Sequence, residues 1–264
     1  DAAAETVLQA LRAADGRYRT LELMRLAKGG YAGLTGEQAE VLENYALFAG
    51  LQGSGWLKPL HYGEERFDLS ALETWRQKLV EPLEALHQGL RAVTDTLKKY
   101  IDRLISAGVP AIMLDTLFSS RSILSKRMWK QFEYGYVKEL ADYILARGCM
   151  TMIHNCGEGI YFDVQIESIR PSAISFQHLP DDCASPQELK QKYGGKTCLI
   201  GCIEPTWAPF APEEELRAEI RRQIDVYAPG GGFILATGCE YPANADFRAA
   251  QIMVEEARTY GRYR

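Results

Sequence analysis

The sequence predicts an α/β fold, a (β/α)8 barrel of the TIM type, on three observations. Five short apolar strands alternate with amphipathic helices over the C-terminal two-thirds, and strand–helix units in series imply a parallel sheet. The connections are short and no glycine-rich nucleotide fingerprint is evident, which favours a barrel over a doubly wound sheet. The residues that carry chemistry fall just past strand ends, where such folds keep their sites.

The elements follow in order. Residues 2–14 and 37–50 read as helices, and 20–27 as a candidate strand. Residues 69–107 form one long helical pattern with Pro82 inside it, so two helices or a kinked one are expected. At most two strands can be found in this third, where an eight-stranded barrel needs three. The barrel is therefore expected to have an incomplete or reduced N-terminal part. Strands follow at 110–116, 149–154, 173–178, 197–203 and 233–237. Helices are expected at 128–147, 161–169, 186–192, 213–227 and 245–260. The fourth of these opens on a run of acids, as a helix N-terminus should. The whole reads as a single domain over 1–264, with clear repeats from 69 onward and a poorly matched 1–68. It begins with Asp1 rather than Met, so an upstream segment is expected to be missing.

Composition narrows the partners. The 264 residues are 47% hydrophobic, ample for a core, and the net charge of −5 gives no electrostatic case for nucleic acid or an anionic membrane. No apolar run approaches the roughly 18 residues of a membrane span, and no signal peptide is seen. The six cysteines (149, 156, 183, 198, 202 and 239) form no compact disulfide framework and read as reduced thiols of a cytoplasmic protein. A homodimer is compatible with this composition.

His154-Asn155-Cys156 carries the sharpest signal. A histidine and a cysteine two apart on a strand point to one face, because strand side chains alternate. Cys239 follows another apolar strand and Gly238. One His and two Cys make a three-ligand zinc set with an open fourth position, the pattern of a catalytic zinc. The alternative is a satisfied core histidine and two buried thiols.

On His-x-Cys-Gly at a strand end, Gly238-Cys239 after the last strand, and Leu199-Ile-Gly-Cys-Ile203, the chain resembles the uroporphyrinogen decarboxylase superfamily. Within it, the chain looks like the zinc-dependent methylcobamide:coenzyme M methyltransferase branch, over about residues 69–260. Cys156 and Cys239 stand 83 residues apart, near the spacing of that branch. The resemblance implies a barrel, Zn²⁺ held by His154, Cys156 and Cys239, and methyl transfer between a corrinoid (methylcobalamin-like, on a corrinoid-binding protein) and a small thiol. Uroporphyrinogen decarboxylases lack this His/Cys/Cys set. Relatives in the branch keep a carboxylate as fourth ligand after the strand that follows His-x-Cys, where this chain has Gln177-His178. His178 is expected either as a fourth ligand or, with Gln177, as part of the substrate pocket.

Asp115 matches an aspartate of these methyltransferases, and Glu204 ends the next-to-last strand. Both are expected at the catalytic site, against the plainer reading of a strand-end cap or a solvated acid. Trp207 and Tyr241 lie in strand-to-helix loops and are candidates to close over substrate. Two rival functions stand beside the methyltransferase: a tetrapyrrole decarboxylase without zinc, and a non-catalytic scaffold with four protein ligands on zinc.

Overall fold

A computed structural model describes residues 2–14 and 17–262, so Asp1 and its expected upstream segment lie outside the described residues. The chain divides into two compact units, residues 1–97 and 98–264. Where the sequence reads as one domain, this boundary falls inside a long helix.

The first unit is helical. It holds α1 (Ala2–Ala13), α2 (Thr20–Lys28), α3 (Gly36–Ala49) and most of α4 (Leu69–Ser106). The strand reading of 20–27 is overturned. Leu23, Met24, Leu26 and Ala27 are buried while Leu21 is exposed, a helical spacing that strand alternation cannot produce. No strand precedes residue 111 among the described residues, so the further strands sought there are absent. Trp56 sits in this unit's core, and its indole N–H donates to Thr20 Oγ1 at 3.0 Å. α4 runs as one element through Pro82, not as two helices. An interior proline costs a helix about 3 kcal/mol; burial of Leu79, Val80 and Leu83 around it offsets that cost.

The second unit carries the α/β repeats. Its strands are β1 (Ala111–Asp115), β2 (Met150–Asn155), β3 (Ala173–Phe176), β4 (Cys198–Ile203) and β5 (Phe233–Thr237). They form one parallel sheet in the order β1-β2-β3-β4-β5, the sequential order of a (β/α)8 plan present in incomplete form. The helix expected over 128–147 is two, α5 (Lys126–Phe132) and α6 (Tyr134–Leu145), which meet at Glu133, whose φ of −109° is stretched from the ideal helical value. α7 (Phe162–Ile169), α8 (Pro186–Tyr193), α9 (Glu213–Tyr227) and α10 (Arg248–Thr259) complete the unit. Ile153, Ile174, Phe176, Leu199 and Ile203 bury against Phe162, Leu189, Ile220 and Tyr227 of the helices. Phe162 and Phe176 meet edge to face at 5.7 Å, a favoured aromatic geometry.

Strand register fixes what lies at the sheet's C-terminal end. Asp115 pairs with His154, His154 with Ser175, and Ile203 with Thr237. The segments just past these residues therefore share one edge. No helix of the described residues is long and apolar enough to cross a membrane.

Candidate metal centre

His154 is next to last in β2, and Cys156 follows the strand directly. Cys239 lies two residues past β5. Three strand steps separate β2 from β5, which in a flat sheet is about 14 Å. Yet Cys239 Sγ is 3.7 Å from His154 Nε2, so the curl of the sheet returns the last strand to the second. One ligand atom from each of His154, Cys156 and Cys239 lies within 4.8 Å of the others. All three side chains are half-buried, reachable by an ion yet shielded from bulk water.

Second contacts orient the set. His154 Nδ1 is 3.1 Å from Ser175 Oγ. In the tautomer that donates from Nδ1 to this hydroxyl, Nε2 keeps its lone pair free toward Cys239, as a metal-binding imidazole requires. Ser175 was not foreseen; its signal was a lone polar residue in an otherwise apolar strand. Asn155, fully buried between two candidate ligands, was also missed. Its Nδ2 donates to the Thr116 carbonyl at 2.6 Å, and its Oδ1 accepts from Gly157 N–H at 2.9 Å. The loop after β1 and the turn carrying Cys156 are thereby tied together. Gly157 is required there, because a Cβ would come within 2.4 Å of Ser120 Oγ.

The electrostatics suit a cation. Burial pushes the Cys156 thiol up to about 11, helped by the hydrogen bond and charge of Cys239 and then by the charge of Asp115. A divalent ion held there would draw the Cys156 thiol to its thiolate, the form that binds metal. Two sulfurs and one imidazole nitrogen fit zinc in ligand type, and three protein ligands would leave one tetrahedral position open. Asp163, Asp181 and Asp182 also converge, but Lys126 bridges two of them, at 2.9 Å to Asp163 and 3.0 Å to Asp181. Lys126, the first residue of α5, is taken up by that ion-pair knot.

The other expected site residues are distributed unevenly. Asp115 is exposed at the end of β1 and close enough to act on Cys156 through its charge. Glu204, just past β4, accepts from Gln177 Nε2 at 2.7 Å and from Thr206 N and Oγ1 at 3.1 and 2.7 Å. Gln177 is half-buried in this bond, whereas His178 is exposed and not among the three gathered groups. Trp207 and Glu204 line an open groove of about 510 Å³ with Cys202 and Arg222. Tyr241 turns its hydroxyl onto the Asp246 carbonyl at 2.5 Å, bracing the loop before α10. Two further acids beside the ligand-bearing segments, Glu158 and Glu240, are exposed.

Comparison with known proteins decides the family. Residues 69–260 match the family described as uroporphyrinogen decarboxylase (URO-D). The chain belongs to that family. The uroporphyrinogen decarboxylase of Azoarcus sp. (strain BH72) is 24% identical over 159 residues, covering 59% of this chain and 42% of that protein. The one from Ralstonia pickettii (strain 12J) is 23% identical over 220 residues, covering 81% and 58%. The chain thus spans about half the length of the curated relatives it matches. Among solved structures, a methyltransferase from Methanosarcina mazei superposes with a TM-score of 0.52 at 17% identity, covering 83% of this chain and 64% of that one. At that identity the likeness is one of fold.

Proposed function

We propose that this family member is a zinc-dependent methyltransferase that moves a methyl group between a corrinoid, carried on a partner protein, and a small thiol. The observation that carries the reading is the convergence of His154, Cys156 and Cys239, whose ligand atoms lie within 4.8 Å of one another. The curated relatives are named decarboxylases and so favour a second reading, tetrapyrrole decarboxylation. The charge at the site argues against it. Asp115, Glu204 and Glu240 end or follow the strands there, and carboxylates repel a polycarboxylate substrate.

Bound zinc would supply a Lewis-acid position that lowers the pKa of an incoming thiol at neutral pH. The chain's own residues do the rest. His154, oriented by Ser175, gives a neutral donor, and the two cysteinates cancel the ion's double charge. With zinc bound, such a ligand set would leave electron density on the substrate sulfur. Asp115, exposed beside Cys156, is the group to take up the thiol proton. The corrinoid would supply the methyl group and would keep the electron pair of its cobalt–carbon bond as the sulfur–carbon bond forms. The half-buried setting of the three ligands shields the sulfur from competing water.

Incubating the zinc-loaded protein with methylcobalamin and a small thiol such as 2-mercaptoethanesulfonate tests this. The expected result is thiol-dependent demethylation, followed by the visible spectrum and abolished by chelation. Decarboxylation of uroporphyrinogen with no demethylation would overturn the reading.

A further inference from the structure

The geometry points to Gln177, clamped by Glu204, as a positioning residue that locks the Gly238–Cys239 turn and so sets the third ligand; this rests on the metal reading proposed above.

Gln177 lies just past β3, and Glu204 just past β4. Glu204 holds three hydrogen bonds, from Gln177 Nε2 and from the Thr206 amide and hydroxyl. An ionised carboxylate only accepts, so it dictates which end of the Gln177 amide faces it. Nε2 must turn to Glu204, and Oε1 must then turn the other way. On that side lies Gly238. A Cβ on Gly238 would sit 1.8 Å from Gln177 Oε1, 2.5 Å from its Cδ and 2.7 Å from its Cα. The residue before Cys239 therefore has room for a hydrogen atom only, and the glutamine fills the remaining space.

Two further bonds fix the turn from its other sides. Gly238 N–H donates to the Ile203 carbonyl at 2.9 Å, and Thr237 Oγ1 donates to the Cys239 carbonyl at 2.7 Å. Gln177 supplies the third wall. Its Oε1 is buried with no hydrogen-bond partner. Leaving a buried acceptor unpaired is unfavourable, and an apolar side chain of similar length would avoid that cost. The amide is explained by its other end, the charge-assisted bond to Glu204, which an apolar residue could not make. Glutamine here acts as a wedge with a fixed orientation. Neither residue needs to touch substrate for this role.

The test uses the full chain, stripped of metal and then reloaded with zinc. In the metal-free protein, alkylation of Cys239 by iodoacetamide is read by peptide mass spectrometry against Cys198, which lies at the far end of β4. Gln177→Met and Glu204→Ala are expected to raise the Cys239 rate about fivefold through local opening of the turn, with Cys198 unchanged. Glu204→Gln loses the charge and one of the two acceptor oxygens, so a Cys239 rate between wild type and Glu204→Ala is expected. Glu204 lines an open groove, so its truncation leaves no core cavity, and that variant keeps the test available if Gln177→Met folds poorly. Zinc affinity by competition with a chromogenic chelator should fall about 10–100-fold in Gln177→Met and Glu204→Ala, the usual effect of losing an outer partner. Unchanged Cys239 alkylation in both variants would overturn the lock. A faster Cys239 in both, with wild-type protein that binds no zinc, would support the lock and sink the metal reading instead.

Discussion

Cys239→Ser is expected to lose zinc binding while keeping the fold. The affinity should drop by more than the roughly 10–100-fold that loss of an outer hydrogen-bond partner costs, because a donor atom itself is removed. His154→Ala and Cys156→Ala should behave alike, since each contributes one of three converging atoms. None of the three belongs to a buried core cluster, so far-UV circular dichroism and the thermal transition should stay close to wild type. Cys198→Ser and Cys202→Ser are the controls, both on β4 and outside the gathered set. Zinc content after dialysis, measured by atomic emission, reads the result. Wild-type zinc in Cys239→Ser would contradict the assignment.

Gly201→Ala should produce the largest loss of stability. Gly201 has φ +135°, a region that L side chains rarely adopt, and a Cβ there would meet the Phe176 carbonyl oxygen at 2.5 Å. The clash is with backbone of the adjacent strand β3, so no side chain can swing aside. Backbone strain of about 1–3 kcal/mol and overpacking of about 1–3 kcal/mol act together. A loss of about 3–5 kcal/mol is expected from urea unfolding followed by tryptophan fluorescence. Gly195→Ala, with open space around it, is the matched control and should be near neutral. Gly201 also sets the spacing between β3 and β4, whose ends carry Gln177 and Glu204, so zinc affinity should fall with stability.

The parallel repeats were legible in the sequence because each strand is a short apolar run between breakers. α9 and β5 lie where the sequence placed them. The N-terminal unit was less legible. Leu23, Met24, Leu26 and Ala27 form a dense apolar cluster in a short segment, which periodicity alone cannot assign to strand or helix. Pro82 suggested a break that flanking burial overrode. His154 and Cys156 could be paired by strand alternation, since that is a local rule. The approach of Cys239 to them depends on the curl of five strands, and no local pattern encodes that. Ser175 and Asn155 escaped for a similar reason: their roles rest on register between strands and on loop carbonyls from distant sequence. The Gln177–Glu204 bond joins residues 27 apart, across neighbouring strand ends.

Zinc-edge X-ray absorption on the purified, zinc-loaded chain tests the central claim most directly. One zinc per chain with two sulfur donors, one imidazole nitrogen and one exchangeable light atom is the expected shell, and addition of a thiol should raise the sulfur count to three. Failure to bind zinc, or a closed shell with a second imidazole from His178 that no thiol displaces, would contradict an open catalytic centre.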